Sequence, residues 1–521
     1  MKAKLFFLFF LILPQIILSQ VVGVDSFKLK TPSLLGVVQG ITIREGAMGS
    51  GIYYIPGTVN EFYMITDRGP NVEATNRNGG NLTLYFPIAN YSPKIFRIKL
   101  EGDSLRVISS FTVKRPGGTN VSGVPLLPGQ GGTGEVAWSD TSGTVIPPDF
   151  WGIDSEGILI GNNGEMWLCD EYGPSVWRIN GSTGEVIKRY WPFSTDANNQ
   201  QIDTVFRKRK PNRGFEGVAM TPNGKIYAII QSPLSNPVLS TGDSSRVHRL
   251  LEIDPQTNQT RMFAYLHQPA ISPNIRERDW KCGELVAINN TDFLVIEQAS
   301  RNGTFTNKIY RISTAGATQI TQELYGGKTL EALKDSAGLA QNGIVPVQKV
   351  FYFDPLANGY NPTQDKPEGL AILNDSTFVL TNDNDYSINS PNSNGIIENI
   401  NSVTTAYRYR VTGNLKITGF IQPIVGITSI SENASEFSLS QNYPNPFNPS
   451  TNIKFSVAKP SFVKLFVYDL LGREVRVLVD QDMGKGAYSI DFNASGLSSG
   501  IYFYKLITNG QSLTNKMVLI K

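Results

Sequence analysis

Four stretches decide the fold: EGILIGNNGEMWLCDEYG (residues 156–173), EGVAMTPNGKIYAIIQSP (216–233), ELVAINNTDFLVIEQAS (284–300) and EGLAILNDSTFVLTNDND (368–385). Each opens on a glutamate, runs as a short apolar strand, turns, and returns as a second apolar strand that ends in acid or amide residues. An earlier relative, GIYYIPGTVNEFYMITDRGPN (51–71), lacks the glutamate but keeps the second strand and its polar end. Downstream of each lies an alternating apolar and polar run around Asn, Gly or Thr: KIFRIKLEGDSLRVIS (94–109), VWRINGSTGEVIKRYW (176–191), RLLEIDPQTNQTRMFAYL (249–266), KIYRISTAGATQITQEL (308–324) and AYRYRVTGNLKITGF (406–420). Such runs are antiparallel hairpins. Four strands per repeat make a blade that buries its faces only against neighbours, so the pattern predicts an all-β fold, a β-propeller. Five repeats are the minimum, and Leu34–Arg44 and Val345–Asp354 suggest a degenerate sixth, so six blades are expected.

The chain around the repeats has 521 residues, 17% of them charged, with 49 Gly and 30 Pro, a balance suited to many short strands and tight turns. Its formal net charge of +3 falls by two if Lys2 and Lys4 are removed with a leader, so nothing steers nucleic acid electrostatically. The opening MKAKLFFLFFLILPQIILSQ (1–20) has the basic start, apolar run and small polar end of a secretory signal peptide. No later stretch approaches the ~20 apolar residues that cross a bilayer as a helix. Cys169 and Cys282 leave a single disulfide as an open question, and no Cys/His cluster supports structural zinc.

In a propeller the innermost strand runs along the channel and the second returns, so the start of one and the end of the other share a face. Glu156, Glu216, Glu284 and Glu368 are therefore expected at one mouth, with Asp67-Arg68, Asp170-Glu171, Gln231, Glu297 and Asn382-Asp383. Carboxylates this close raise one another's pKa and call for cations. An all-oxygen set suits Ca²⁺, with Glu156, Glu216, Glu284, Glu368, Asp67, Glu297 and Asp383 as expected ligands. Glu216, Asp170, Glu171 and Arg68 are the expected catalytic groups. Arg213, Lys281 and Lys366, two or three positions before three of the glutamates, are expected to hold an anionic or ester substrate. Structural ion pairs across blades are the plainer alternative for each.

Only two histidines occur, His248 and His267, which argues against a Ser/His/Asp hydrolase. Gly496-Leu-Ser-Ser-Gly500 spells a nucleophile elbow in a region without histidine, and Gly129-Gln-Gly-Gly-Thr-Gly134 spells a dinucleotide fingerprint after Pro-Leu-Leu-Pro instead of a strand. Both are read as coincidence.

The run GIDSEGILIGNNGEMWLCDEYGPSVWRIN (152–180), with DRGPN (67–71) before it and NRGFEGVAMTPNGKIYAIIQSPL (212–234) after it, resembles the phytase-like family named for "esterase-like activity of phytase". The resemblance spans about residues 36 to 420 and implies a propeller related to calcium-dependent phytases, which release phosphate from inositol phosphates with clustered Ca²⁺. Glu156, Asp170, Glu171, Glu216, Glu284 and Glu368 fall on its repeated blocks, whereas the first repeat departs by lacking its glutamate.

After a propeller at 21–420 and a polar linker at 421–440, residues 441–521 alternate strands with Gly/Asn/Pro turns and predict a small β-sandwich. Asn442–Ser450, Leu470-Leu-Gly-Arg473, Gly500-Ile-Tyr-Phe503 and the closing Lys516-Met-Val-Leu-Ile-Lys resemble a type A sorting domain of the type IX secretion system. That implies Sec export, engagement of the type IX machinery, and a secreted or outer-surface location without a transmembrane span in the mature chain. The reading is an exported Ca²⁺-dependent hydrolase of phosphate or related esters. The alternatives are a non-catalytic ligand-binding propeller, with an apolar mouth and little metal, and a lactonase-like propeller with one metal deep in the channel.

Overall fold

The computed structural model describes residues 20–521 apart from 57, 75–79, 162–163, 194–197, 272–273, 362–365, 392–395, 422–426, 432–435, 460, 484, 495–496 and 509. The signal peptide expected at 1–20 thus lies, but for Gln20, outside the described residues. The inner strands are Gly51–Tyr54, Ser155–Ile160, Phe215–Met220, Trp280–Ala287 and Pro367–Asn374, and each opens an antiparallel run of four strands, a blade, numbered I to V here; blade II adds a fifth strand, Asn199–Gln201, parallel to Val186–Trp191. Inner strand packs on inner strand in that order, and Pro367–Asn374 returns to Gly51–Tyr54, closing the ring.

Five blades close this ring among the described residues, one fewer than expected. The Leu34–Arg44 segment forms a separate hairpin of Leu34–Val38 with Ile41–Arg44, and Gln348–Phe353 is the outer strand of blade IV. The inner strands leave no room for another. A Cβ on Gly51 would meet Gly157 Cα at 2.8 Å, and one on Gly217 would meet the Leu285 nitrogen at 2.4 Å. This close approach explains the Glu-Gly signature: glycine stands where backbone of one blade touches backbone of the next.

Each of the five seams between blades carries its own apolar cluster. Between blades II and III, for example, Trp167, Val176 and Tyr190 pack with Phe215, Val218 and Ala228, so burying one blade's face requires its neighbour. The ring is fastened by strand exchange between distant parts of the chain. Gln20–Lys28 supplies the outer strand of blade V, antiparallel to Thr405–Thr412, and Asp25 is paired with Arg408 at 2.7 Å and with Arg410.

The C-terminal region is a sandwich of two four-stranded sheets. Ile427–Ser431, Gly486–Asn493, Ser450–Val457 and Ser438–Leu439 form one, and Glu474–Met483, Ser461–Tyr468, Gly500–Thr508 and Gln511–Leu519 the other. Ile453, Phe455, Val463, Leu465, Tyr504, Leu506 and Met517 fill the space between them. The expected linker 421–440 therefore contains two of the sandwich's strands, Ile427–Ser431 and Ser438–Leu439, because their ladder bonds are made with strands further down the chain, Ile427 with Ile490 and Leu439 with Phe455. The Pro-rich Asn442–Pro449 stretch stays outside the ladders, and the Tyr504 hydroxyl holds it by accepting from the Asn442 N–H and donating to the Ser440 carbonyl, both at 2.8 Å.

Candidate functional site at the channel mouth

Every blade glutamate sits in a β-bulge. The register slips between Ser155 and Gly157, Phe215 and Gly217, Cys282 and Leu285, and Pro367 and Gly369, so Glu156, Glu216, Glu284 and Glu368 are left out of the ladder. A bulge re-aims the extra side chain, and here it hides all four carboxyl groups from bulk water. Glu216, Glu284 and Glu368 each keep a buried Oε2 with no hydrogen-bond partner among the described residues. An orphaned buried carboxylate oxygen is costly, and such atoms mark sites that await a ligand or ion.

Two carboxylate groups flank Arg68. In the first, Asp154, Glu156 and Glu171 each bring an oxygen within 4.8 Å of the others, and in the second Asp67, Asp383 and Asp385 do the same. Arg68 Nη1 lies 2.9 Å from Asp154 Oδ2 and 2.5 Å from Asn212 Oδ1, with the guanidinium 5.3 Å above the Tyr172 ring. Asp385 is presented by a rare backbone: Asp385, Tyr386 and Ser387 have successive φ values of 44°, 55° and 62°. Non-glycine residues resist that left-handed region, and a run of three persists only where the surroundings impose it. Asn384 anchors the run by accepting from the Ala47 N–H at 2.6 Å and donating to the Ser402 carbonyl at 3.2 Å.

Burial dominates the electrostatics. It pushes Glu156 and Glu216 well above the usual carboxylate range, aided for Glu156 by Glu216 and Asp154 and for Glu216 by Glu171 and Glu368. Burial likewise raises Asp67, with Asp154 adding to it, and Asp383, with Asp385 and Glu368 adding to it. Glu171 is lifted to about 7 by burial and Asp154, against the pull of Arg213 and Arg68. On the cationic side, Arg213, burial and Lys366 press Lys281 down to about 8. Lys366 is raised despite its burial because Glu368, Asp385 and Asp383 surround it, and its Nζ lies 2.5 Å from Glu368 Oε1.

Arg213, Lys281 and Lys366, together with Arg278, line one cleft of about 510 Å³ whose other walls are Asp279, Gln298, Ala299, Ser300 and Phe305. Acidic groups and a basic cleft thus share Lys366 and Arg213, the latter 3.6 Å from Glu171. The channel floor is different: Ile52, Ile158, Val218, Leu285 and Leu370 make it apolar, with Glu284 its acid.

Three expected site residues do other work. Glu297 lies in the seam between blades III and IV, where it accepts from the Tyr265 hydroxyl and the Gln268 N–H and pairs with Lys349 at 2.5 Å. Asp170 accepts from the backbone of Asp154, Tyr172 and Gly173 and from the Ser175 hydroxyl, which fills its acceptor positions and shapes the turn that presents Glu171. Glu284 reaches down toward the channel floor, accepting from the Val218 and Leu285 N–H groups at 3.3 and 3.2 Å, outside both acidic groups. Conversely, Asp154 and Asp385 were not anticipated. Asp154 stands two residues before the repeated glutamate and Asp385 two after the Asn-Asp end, so both were in plain view without a pattern to pick them out. Cys169 and Cys282 are free, buried thiols.

Residues 44–386 match the family Phytase-like, described as "Esterase-like activity of phytase". The chain belongs to that family. Residues 441–521 match the "Secretion system C-terminal sorting domain", so this phytase-like propeller carries a tail addressed to the type IX machinery, and the protein is secreted or held at the cell surface. Among the described residues no helix is long and apolar enough to cross a membrane. An "Uncharacterized secreted protein" of Arthroderma benhamiae is 25% identical over 350 residues, covering 56% of this chain and 66% of that protein, so the chain spans slightly under two-thirds of its relative's length. Among solved structures, a streptogramin B lyase (9% identity, TM-score 0.27) and virginiamycin B lyase from Staphylococcus aureus (11%, TM-score 0.27) each align over 74% of this chain and 98% of theirs.

Proposed function

We propose that this phytase-like protein is an exported hydrolase of phosphate or related esters that works at the acidic mouth with Ca²⁺. The observation that carries the reading is the pairing of two all-oxygen carboxylate groups, each within 4.8 Å, with a cleft lined by Arg213, Lys281 and Lys366. The donor set fits a hard cation: no His or Cys belongs to either group, and the orphaned Oε2 of Glu368 adds an oxygen nearby. Asp154, Glu156 and Glu171 would hold one ion and Asp67, Asp383 and Asp385 another. Bound there, Ca²⁺ would polarise a phosphoryl oxygen and draw down the pKa of water.

The chain's own residues supply the rest. Arg213, Lys281 and Lys366 bind and orient the anion, and Arg68 sits between the acidic groups as a fixed counter-charge. Glu216, kept protonated by burial and by Glu171 and Glu368, gives its proton to the departing alcohol oxygen as the ester P–O bond breaks and water's oxygen joins phosphorus, and the proton that water gives up returns to Glu216.

The test is phosphate release from phytate and simple phosphomonoesters by the mature protein, with added Ca²⁺ and again after chelation. Release is expected only with Ca²⁺, and Glu216→Gln is expected to lower it by about 100-fold or more. No release under any condition would shift the reading to a binding propeller or a lactonase.

A further inference from the structure

Four cations line the cleft beside the acidic mouth, and three of them have a carboxylate of their own. Arg213 lies 3.6 Å from Glu171, Lys366 Nζ 2.5 Å from Glu368 and Arg278 Nη1 3.8 Å from Asp243. Lys281 is the exception. It is half-buried on the cleft wall, and among the described residues its amine has neither an ion-pair nor a hydrogen-bond partner. Unlike the orphaned Oε2 atoms of Glu216 and Glu284, that amine is not sealed from solvent.

That placement decides what the amine can do. An ammonium held beside other cations, with no anion to stabilise it, gives up its proton readily. Arg213 first, then burial, then Lys366 press Lys281 down to about 8 against the opposing pull of Glu216 and Glu171. At pH 7 it therefore carries about a hundredfold more of the neutral form than an unperturbed lysine does. Partly desolvated lysines beside a second cation are the kind that attack carbonyl carbon. The strand register adds a hydroxyl. Lys281 lies directly across from Gln298, so Ser300, two residues further on, stands diagonally opposite on the same face of the sheet, within reach of a long side chain. Ser300 is exposed on the cleft wall, where its hydroxyl can donate to an oxygen drawn up to the amine.

We infer that Lys281 is a covalent nucleophile and that the cleft takes a 2-oxo acid, a carbonyl compound with a carboxylate on the next carbon, as an imine. Arg213 and Lys366, each with N–H donors to spare, pair with the carboxylate while the Lys281 nitrogen meets the keto carbon. The nitrogen's lone pair forms the new C–N bond and the carbonyl π electrons move to oxygen. The oxygen then leaves as water, taking the two hydrogens that the neutral amine carried, and a C=N bond remains. No oxidant or reductant is consumed. The step uses only this chain's residues and stands apart from the Ca²⁺-dependent hydrolysis proposed above.

The test is trapping of the mature protein with pyruvate and cyanoborohydride at pH 7 in chelator, followed by peptide mapping. Hydride reduces the C=N bond and leaves a carboxyethyl group fixed to the nitrogen. The group is expected on the peptide that holds Lys281, about tenfold or more ahead of any other lysine. Acetone, which lacks the carboxylate, is expected to label that peptide about tenfold more slowly than pyruvate. Lys281→Met and Lys281→Arg, the second keeping the charge without the nucleophile, should both lose the adduct, and matching thermal melts keep misfolding out of the comparison. No adduct in wild type, or labelling spread evenly over the lysines, overturns the inference, as does acetone trapping as fast as pyruvate. With chelator present throughout, none of these outcomes bears on phosphate release with Ca²⁺, so the two readings stand or fall separately.

Discussion

Glu331 and Glu216 are almost equally hidden from water, at 0% and 3% exposure, but they keep different company. Glu331 lies against blade III, where Arg249 grips it through Nε at 2.7 Å and Nη2 at 3.1 Å and Asn236 donates to it at 3.0 Å. Glu216, at the mouth, has an oxygen with no hydrogen-bond partner among the described residues and faces the carboxylates of Glu171 and Glu368. Against blade III the buried carboxylate and guanidinium satisfy each other, as a structural ion pair must. The mouth leaves its charges wanting, which is the condition of a site that completes itself with something it binds.

The comparison breaks most sharply at Glu331. Glu331→Ala strands the Arg249 guanidinium in a seam with 4% of its side chain exposed, and the expected loss is about 3–5 kcal/mol in urea unfolding. Replacing both partners, Glu331→Leu with Arg249→Met, should recover much of that loss, because the cost belongs to the unpaired charge more than to the missing bond. If Glu331→Ala were as stable as wild type, the claim that seams live by paired charge would fall.

A second seam property is its response to acid. His248 and His267 lie buried between blades III and IV, with His248 Nε2 2.8 Å from His267 Nδ1 and His267 Nε2 3.0 Å from Glu277. Burial lowers both below the ordinary value of 6.5, His267 next for His248, and Arg246, Lys349 and Lys210 press on His267 in the same direction. A depressed folded pKa means the unfolded chain binds the proton first. The stabilising contribution is therefore complete above pH 6.5 and is lost as pH falls from there toward the folded values. Between pH 7 and 5 each histidine should cost about 2 kcal/mol, read from urea midpoints across pH. His267→Gln should flatten that dependence by roughly half, and an unchanged slope would mean the pair does not titrate on unfolding.

The repeat and the propeller were legible because each rests on local pattern: a Glu-Gly in three of the five inner strands, an apolar alternation, a polar end. What the sequence withheld were relations between distant residues. The blade count depended on Gln20–Lys28 crossing to Thr405–Thr412, a pairing that no local signal announces, and on close glycine contacts between inner strands such as Gly51 with Gly157 and Gly217 with Leu285. Asp170 and Glu297 carry the same residue types in the same repeats as Glu171 and Glu216. Only their partners, four donors for Asp170 and a Tyr–Lys pair for Glu297, reveal them as scaffold.

The smallest expected effect is also the one whose sign separates mouth from seam. If Glu216 is held protonated at a cost, then Glu216→Gln, which is neutral without taking up a proton on folding, should stabilise the protein in chelator by about 1 kcal/mol. A seam carboxylate treated the same way should lose stability, because its arginine remains behind. Adding Ca²⁺ should raise both proteins alike and leave that order in place, since Asp154, Glu156 and Glu171 and Asp67, Asp383 and Asp385 are present in each, and ligand binding to the folded state raises stability. Thermal melts with chelator and with Ca²⁺ give both readings from the same two proteins. Destabilisation by Glu216→Gln in chelator would place this glutamate with Glu331, as part of the frame instead of the site.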